Sequence, residues 1–412
     1  MKAPRDTTSM SATRRAPADV SSLAISGLRD PVTQLGSELC VKMAPSLALL
    51  SAGSERNDSE GRFPTDAFEA LRDAGVLAAT VPREFGGQGL SHLHDVAVLL
   101  GRIAEVDPGA ALAAHMQLSR GLTLSYEVKH GEMTTRALAK DLLVGMAAGT
   151  YAIASATKDV GPTTRVDSTA GALTLTGKKT LVSLAPMATH FLVQATGKVG
   201  EEVHTLAVLV RRADANVSVH DKWNGVGMRT SGTAEVHFDS VAVDAASIFD
   251  RGPVDEESDA SLAGQTISSI TMLGIYVAIT QRARDVAVDH LRDKGASSSA
   301  IKTMIADIDT RLFAIRSAAL VALFHADQKA TDLSGDLDER GRSMMTSFQY
   351  AKALVNTSGV GVVDDAIRLV GGLAYTTTHP LWRMSRDIRA NVFAHPYNYV
   401  NRVDFLSTQA FR

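Results

Sequence analysis

The stretch RDIRANVFAHPYNYV, residues 386–400, presents His395 directly before a proline and nine positions after Arg386. An imidazole takes up and releases a proton near neutral pH, so a histidine behind such a charged cluster is a candidate for acid–base chemistry. His115, in the segment AALAAHMQL, is a second candidate, because a ring nitrogen in so apolar a helix needs a polar partner or a cavity. The two positions are far apart in sequence, so only the fold can bring them together.

Both histidines also have an interpretation that involves no chemistry. His115 can be a hydrogen-bonded histidine inside a packed helix. His395 can be held by the aromatic residues around it in the sequence, which are Phe393, Tyr397 and Tyr399. The surroundings of each ring in the folded chain decide between the interpretations.

The composition argues against several classes of protein. The 412 residues include 42 Lys and Arg against 45 Asp and Glu, a net charge of -3, and the basic residues form no long run. That balance disfavours nucleic acid or an anionic membrane as a partner. The single cysteine, Cys40, excludes an intrachain disulfide and a multi-cysteine metal site, and we predict no bound metal.

The start of the chain, MKAPRDTTSMSATRRAPADVSS, has no apolar core and does not look like a secretory signal. Apolar segments also fall short of the roughly 20 residues that span a bilayer. We therefore expect a cytoplasmic protein with a disordered tail, and an organelle transit peptide remains an alternative.

Three patterns of hydrophobic periodicity follow one another along the chain. Helical periodicity comes first, then short alternating strands such as HTLAVLVRR and GTAEVHFDSVAV, and then long helical segments. The predicted fold class is α+β, with an N-terminal α-helical domain, a middle antiparallel β-barrel or sandwich and a C-terminal four-helix bundle. The predicted divisions are a tail at 1–29, helices at 30–148, strands at 149–250, a linker at 251–262 and the bundle at 263–412.

Three segments occur in the order expected for a known family. They are VPREFGGQGLS (81–91), WNGVGMRTSGTAEVHFDSVAV (223–243) and LVGGLAYTTTHPLWRMSRDIRA (369–390). Together they resemble the acyl-CoA dehydrogenase superfamily over about residues 30 to 400. The resemblance implies a flavin between the sheet and the bundle, in a homodimer or homotetramer.

The resemblance also implies where a catalytic base should lie. Most members have a glutamate nine residues after the arginine of the late Arg-Asp pair, and a minority have it at a position that aligns with Ser268. This chain has His395 at the first position and no carboxylate at either. A buried carboxylate is the usual base for removing a proton beside a thioester carbonyl, so ordinary dehydrogenation is disfavoured.

Reduced-flavin monooxygenases of the superfamily resemble this chain in that late histidine and in a second one, here His115. In those proteins reduced flavin and O2 form a C4a-hydroperoxide that oxygenates a small organic substrate. The leading prediction is therefore a monooxygenase whose catalytic residues are His395, His115 and Ser183, the last at the flavin N5 edge. Ser183 can alternatively be a strand serine that faces solvent.

Further residues are assigned to flavin binding on the same resemblance. They are Ser183, Ser155, Trp223, Arg229, Gly371 and Gly372. The glycine pair allows close approach of backbone amides to a phosphate, although such pairs also end helices. Arg386 and Asp387 are interpreted as a structural ion pair.

Two departures from the family pattern bear on the cofactor. The loop that helps hold flavin and coenzyme A reads ASATKDVGPTTR here, with Thr157 at its start and without the Gly-Ser pair. The Arg-x-x-Phe-Gly motif that grips FAD aligns with Lys294, Ser297 and Ser298, so the bidentate guanidinium contact to the pyrophosphate is missing. These differences favour FMN, or a loosely held reduced FAD supplied by a separate flavin reductase.

Two other functions are compatible with the sequence. The chain can be a dehydrogenase of acyl-CoA or acyl-carrier-protein thioesters that uses FAD and His395 as the base. A more distant alternative is a non-catalytic binding protein of the same fold, which the scattered basic residues disfavour.

Overall fold

The structure is a computed structural model that describes residues 27–221, 223–254, 258–332, 334 and 336–412. Most of the predicted N-terminal tail, residues 1–26, lies outside the described residues. The predicted order of helices, sheet and helices is confirmed.

The N-terminal region is helical. Its helices are α1 Gln34–Lys42, α2 Ala44–Glu60, α3 Thr65–Asp73, α4 Leu93–Ala104, α5 Pro108–His130 and α6 Met133–Ala147. Helix α5 begins sharply because the Asp107 side chain accepts a hydrogen bond from the Ala110 N–H, 2.9 Å, and a proline occupies the first position. Helix α5 is buried on most faces, as its apolar sequence predicts.

The middle region is a sheet of nine strands. They are β1 Ile153–Ala156, β2 Lys158–Asp159, β3 Arg165–Thr169, β4 Ala172–Val182, β5 His190–Val199, β6 Glu202–Arg211, β7 Val217–His220, β8 Ala234–Val243 and β9 Ile248–Pro253. The main order is β7-β8-β4-β3-β5-β6-β9. The sheet is mixed rather than antiparallel throughout, because β5 pairs in parallel with both β1 and β3. Alternation along single strands cannot distinguish these pairings, which depend on the paths of the connecting loops.

The C-terminal region is again helical. Its helices are α7 Asp259–Ser269, α8 Leu273–Asp293, α9 Ser299–Thr331, α10 Leu337–Leu354, α11 Val360–Val370, α12 Pro380–Asp387 and α13 Tyr399–Ala410. Strand β9 ends at Pro253 and Ser258 caps α7, so both elements extend into the interval predicted as a linker. A π-helical turn, Val355–Gly359, separates α10 from α11.

One helical stretch within the described part of the chain, Ser261–Asp293, is long and apolar enough to cross a membrane by length and composition. Most of it is buried inside the protein, which is typical of a core helix. Helix α8, which forms its larger part, packs against α4 and α11.

A buried ionic cluster joins the three regions, and Arg383 of α12 lies at its centre. The Nη2 atom of Arg383 lies 2.8 Å from Asp107, at the start of α5, and its Nη1 donates to the Ser54 hydroxyl of α2, 2.5 Å. From the sheet region, the Thr230 hydroxyl donates to the same Asp107 carboxylate, 2.5 Å. Asp107 is fully buried, so these contacts fix where the helices and the sheet meet.

Burial and the neighbouring charges have opposite effects on the pKa values of this cluster. Burial opposes the charge of Arg383, but Asp107, Asp387 and Asp58 outweigh that effect and raise its pKa. Burial raises the pKa of Asp387 to about 6, against the lowering effect of Arg383. The guanidinium therefore stays charged and holds three carboxylates that would otherwise repel one another.

Arg386 and Asp387 both have structural contacts, as predicted, but with different partners. Arg386 binds Asp58 and donates to the Val226 carbonyl, 2.7 Å. Asp387 accepts from the Met228 N–H, 2.6 Å, and lies 3.4 Å from Arg383. Consecutive side chains of a helix point in different directions, which is why the two do not form the pair that the sequence suggested.

The turn of the sheet region beside this cluster requires a glycine. A Cβ atom on Gly227 would lie 2.7 Å from the Arg386 carbonyl oxygen and 3.0 Å from Asp387. The backbones of α12 and of the 225–230 segment therefore approach more closely than any side chain allows.

We expect Arg383→Met to lower the free energy of unfolding by about 3–5 kcal/mol, because it leaves buried carboxylates without their counter-charge. Chemical and thermal unfolding measure the change. Arg292→Met removes an exposed pair with Asp289 on α8 and is the matched control, with an expected effect within about 0.5 kcal/mol. Equal stability losses in the two variants would show that the Arg383 cluster does not hold the regions together.

Candidate active site between α5, the sheet and the C-terminal loop

His115 lies in the middle of α5 with only 2% of its surface exposed. Burial, together with the positive charge of Arg120, lowers its pKa to about 3 against the opposite effect of the Ser268 backbone. Neither ring nitrogen has a hydrogen-bond partner of normal geometry among the described residues. The ring lies against the backbone of Ser268, and a neutral imidazole here can offer a donor and an acceptor to a ligand; its catalytic role remains a prediction.

His395 follows the 3₁₀ turn Ile388–Phe393 and precedes α13. Its side chain is exposed to solvent, although enough protein atoms lie around the ring to desolvate it in part. This burial, with the positive charges of Lys352 and Arg120, lowers the pKa of His395. The ring of His395 is therefore neutral at pH 7. His115 is buried, whereas His395 is accessible to a ligand.

Of the aromatic residues suggested as partners of His395, two have contacts elsewhere. The ring of Tyr397 stacks on Phe405, with centroids 5.1 Å apart, and Tyr399 lies beneath the guanidinium of Arg402. Phe393 is 72% exposed. These contacts order the loop around His395.

Arg120 acts electrostatically on both histidines. Its charge lowers the pKa of each ring, so it lies within electrostatic range of both. Its Nη2 donates to the Ser155 hydroxyl of β1, 2.6 Å, and its buried Nε has no partner among the described residues. Burial lowers the pKa of Arg120 to about 10, so the group remains charged at neutral pH. Ser155, predicted to contact the cofactor, thus lies at the same site.

Ser183, at the end of β4, is 6% exposed, so the alternative of a solvent-facing serine is wrong. Its hydroxyl lies 2.9 Å from that of Thr233. Leu181 and Leu184 on either side have φ values of 57° and 68°, a left-handed conformation that non-glycine residues adopt at an energetic cost. The strained turn fixes the direction of Ser183, as is common where a side chain meets a ligand.

Ser268 occupies the second position at which relatives carry a glutamate, and its backbone lies next to His115. Its hydroxyl donates to the Gln265 carbonyl, 2.9 Å. The two positions that could hold a carboxylate base therefore hold an imidazole and a hydroxyl, and a second imidazole, His115, lies beside the backbone of that serine.

Trp223 and Arg229, predicted to bind the cofactor, lie on the segment that follows β7. The indole Nε1 of Trp223 is buried without a partner among the described residues, so it has an N–H to offer. All three nitrogens of Arg229 donate to backbone carbonyls, those of Asp58, Gly225 and Ser59. The direct role predicted for Arg229 remains a prediction, since its donors already join α2 to the sheet region.

The two glycines at the end of α11 lie apart from this network. Both are exposed, and a Cβ atom on either would meet open space, so neither is required by internal packing. Gly371 has a φ of 79° and ends the helix. Their predicted role at a phosphate remains a prediction.

The segment that replaces the FAD-gripping motif is the turn between α8 and α9. Lys294 ends α8, and the Ser298 hydroxyl caps α9 by accepting from the Ile301 N–H, 3.2 Å. This serine is thus occupied in helix capping, and the turn has no guanidinium to offer a pyrophosphate.

Sequence reasoning missed two residues of this site, Arg120 and Lys352. Each is a single cation in an otherwise apolar helical segment, LSRGLTL and YAKALV. Such a pattern signals either a long side chain that reaches the surface or a buried charge, and only the packing distinguishes these.

The site suits a flavin because several of its side-chain polar groups have no hydrogen-bond partner within the part of the protein that the structure describes. The unpaired groups are both nitrogens of His115, the Nε1 of Trp223 and the Nε of Arg120, and they accompany the accessible ring of His395. The carbonyl oxygens and ring nitrogens of an isoalloxazine can accept from such donors.

Family models cover most of the chain. The N-terminal domain of acyl-CoA dehydrogenase matches residues 50–150, the middle domain 152–241 and the C-terminal domain 266–395. The last match ends at His395 itself.

Three relatives are similar over nearly their full length. The amino sugar nitrososynthase DnmZ of Streptomyces peucetius is 49% identical over 390 residues, 94% of this chain and 96% of that protein. The L-evernosamine nitrososynthase of a Micromonospora species is 50% identical over 387 residues, 93% of this chain and 92% of that protein. The X-ray structure of KijD3 in complex with FMN and dTDP-3-amino-2,3,6-trideoxy-4-keto-3-methyl-D-glucose superimposes with a TM-score of 0.91 at 45% identity, covering 93% of this chain and 96% of that one.

These findings confirm the family that the sequence motifs suggested, the three-domain fold and the prediction of a flavin-dependent enzyme. They favour the oxygenating branch over thioester dehydrogenation. The chain belongs to the acyl-CoA dehydrogenase family, and it is a flavin-dependent oxidoreductase of that fold.

Proposed function

We propose that this protein is an amino sugar nitrososynthase that oxidises the amino group of a dTDP-linked amino sugar with O2 and reduced FMN. The names of its relatives support the reaction, and the complex of KijD3 with FMN and a dTDP-linked 3-amino sugar supports the cofactor and the substrate class. Reduced flavin supplies two electrons in each round. One oxygen atom then adds to nitrogen and the other leaves as water, so that the amine becomes a hydroxylamine. A second round adds another oxygen atom to the nitrogen, and the N,N-dihydroxy amine loses water to give the nitroso group.

The observation that carries the proposal is the replacement of both carboxylate positions, by His395 and by Ser268 next to His115. Both imidazoles have lowered pKa values and are therefore neutral at pH 7. A neutral imidazole donates through one nitrogen and accepts through the other, so it can give a proton to an oxygen and take one from an amine. A carboxylate in this place would be suited to removing a carbon-bound proton.

The positive charges of the site suit oxygenation as well. Arg120 and Lys352 both act on His395, and Arg120 also acts on His115. They disfavour protonated histidines and favour negative charge on a bound ligand. Ser155 and Thr123 fix the Arg120 guanidinium, with hydrogen bonds of 2.6 and 3.2 Å.

The proposal extends to the partners of the enzyme. We propose FMN rather than FAD, because Ser298 caps a helix where the FAD-gripping motif would lie. A loosely held flavin implies a separate reductase that delivers it reduced. We also propose a homodimer or homotetramer and a cytoplasmic location. Large apolar side chains exposed on the helical region support the assembly, among them Phe313, Val321, Tyr350 and Tyr375.

The function is tested by incubating the protein with a dTDP-linked amino sugar, FMN, O2 and a flavin reductase. We expect mass spectrometry to show the product with one added oxygen atom, and then the product with that oxygen and two fewer hydrogens. Omission of the reductase or of O2 is the control. Anaerobic bleaching of bound flavin by an acyl thioester, without oxidation of any amino sugar, would instead identify a dehydrogenase.

We expect His395→Ala to lower turnover by about 10² to 10⁴-fold while the protein stays folded, because the loop keeps its other contacts. His290→Ala, on the last turn of α8, is the matched control and should retain full activity. The double variant of His115 and His395 should lose little more than either single variant, since groups that act as a unit are non-additive. Wild-type turnover in His395→Ala would remove this residue from the mechanism.

Flavin binding provides an independent measurement. We expect reduced FMN to bind more tightly than oxidised FMN, because the buried positive charge of Arg120 favours the more negative ligand. FMN should bind at least as well as FAD, since the turn at 294–298 lacks the guanidinium for the adenine half. Fluorescence titration and anaerobic calorimetry give the affinities, and a tightly co-purifying oxidised FAD would contradict both expectations.

A further inference from the structure

The side chain of Lys352, on α10, is buried and ends against the loop that carries His395. Only 1% of its surface is exposed. Its Nζ donates to the carbonyl oxygen of Ala394, 2.5 Å, and to that of Tyr397, 2.7 Å. These two carbonyls belong to the residues on either side of the His395–Pro396 dipeptide.

One atom therefore anchors both ends of a four-residue segment. A loop fixed at both ends to a single point of a long helix has little freedom to move its middle residues. The stacking of Tyr397 on Phe405 holds the same end of the segment from α13. Residue 395 itself remains accessible, so the anchoring acts on the backbone and leaves the imidazole for a ligand.

Among the described residues, the hydrogen-bond partners of the ammonium are these two backbone carbonyls, and neither is a carboxylate. Burial, with the charge of Arg402 on α13, lowers the pKa of Lys352 to about 7. Its close contacts are the two loop carbonyls. An apolar side chain would fill this place in the core without the cost of burying a charge, so packing alone does not account for a lysine here.

We infer that Lys352 is a positioning residue, which holds the backbone on both sides of His395 and thereby aims the imidazole at the bound substrate. The inference rests on the proposed function in one respect, the role of His395 in the reaction. The charged groups that act on His395 are Lys352 from α10 and Arg120 from α5, and Arg402 acts on Lys352 in turn.

The first test is kinetic and uses Lys352→Met, which keeps the length of the side chain and removes all its donors. We expect kcat to fall by roughly 10- to 100-fold, because small displacements of a reacting group cost that much, with little change in KM for the amino sugar. Adding Lys352→Met to His395→Ala should cost little more, since Lys352 acts through His395. Lys302→Met, an exposed lysine of α9, is the matched control.

Lys352→Gln distinguishes the effect of the hydrogen-bond donors of the side chain from the effect of its positive charge. Its amide keeps N–H donors on a slightly shorter side chain, so we expect an activity between those of wild type and Lys352→Met. The same variant replaces Lys352→Met in every comparison if the methionine variant does not fold. Wild-type kcat in both variants, or losses that multiply in the double variant, would overturn the inference.

The second test does not depend on turnover. The resonances of His395 in protein with ¹³C-labelled histidine, assigned by their loss in His395→Ala, should shift and broaden in Lys352→Met. Their pH titration should move upward, because a positive neighbour is gone. If the wild-type enzyme oxidises no amino sugar, the proposed function fails and this measurement still decides the role of Lys352. Unchanged His395 resonances would overturn that role.

Discussion

The buried guanidinium of Arg383 is the contact on which the arrangement of the three domains depends. It faces Asp107 at the start of α5, Ser54 of α2 and Asp387 of its own helix, and Asp107 in turn accepts from Thr230 of the sheet region. Removing one member of such a cluster leaves buried charges that water cannot solvate. The junction is therefore specific as well as strong.

The same cluster determines the geometry of the site. Asp107 both caps α5 and binds Arg383, and His115 and Arg120 lie further along that helix. Helix α12 contains Arg383 and leads through one 3₁₀ turn to His395. The positions of the two histidines thus depend on α5 and α12, which meet at one buried ion cluster. Anchoring both elements at the same point fixes the histidines relative to each other.

The chemistry of the site follows from the balance of its charges. Two carboxylate positions of the family are occupied by an imidazole and a hydroxyl. The two basic residues Arg120 and Lys352 donate to hydroxyls and to backbone carbonyls among the described residues. Such a site keeps its histidines neutral and favours an electron-rich ligand. Transfer of oxygen to an amine needs both properties, whereas removal of a proton beside a thioester needs the missing carboxylate.

The sequence by itself determined the order of helices, sheet and helices and the family. These depend on local periodicity and on motifs that are contiguous in the chain. It did not determine the parallel pairings of β5, because alternation is the same in either direction. It also paired Arg386 with Asp387, whereas in the fold Arg386 binds Asp58 of the N-terminal region and Asp387 accepts from the Met228 N–H of the sheet region.

Only the tertiary structure decided the electrostatics of the site. Whether a lysine such as Lys352 reaches water or ends inside depends on which helices cover it, and the pKa of His395 depends on charges that lie far away in sequence. Burial and long-range charge are properties of the packed chain. The residue types could therefore be read from the sequence, but the protonation states on which the chemistry depends could not.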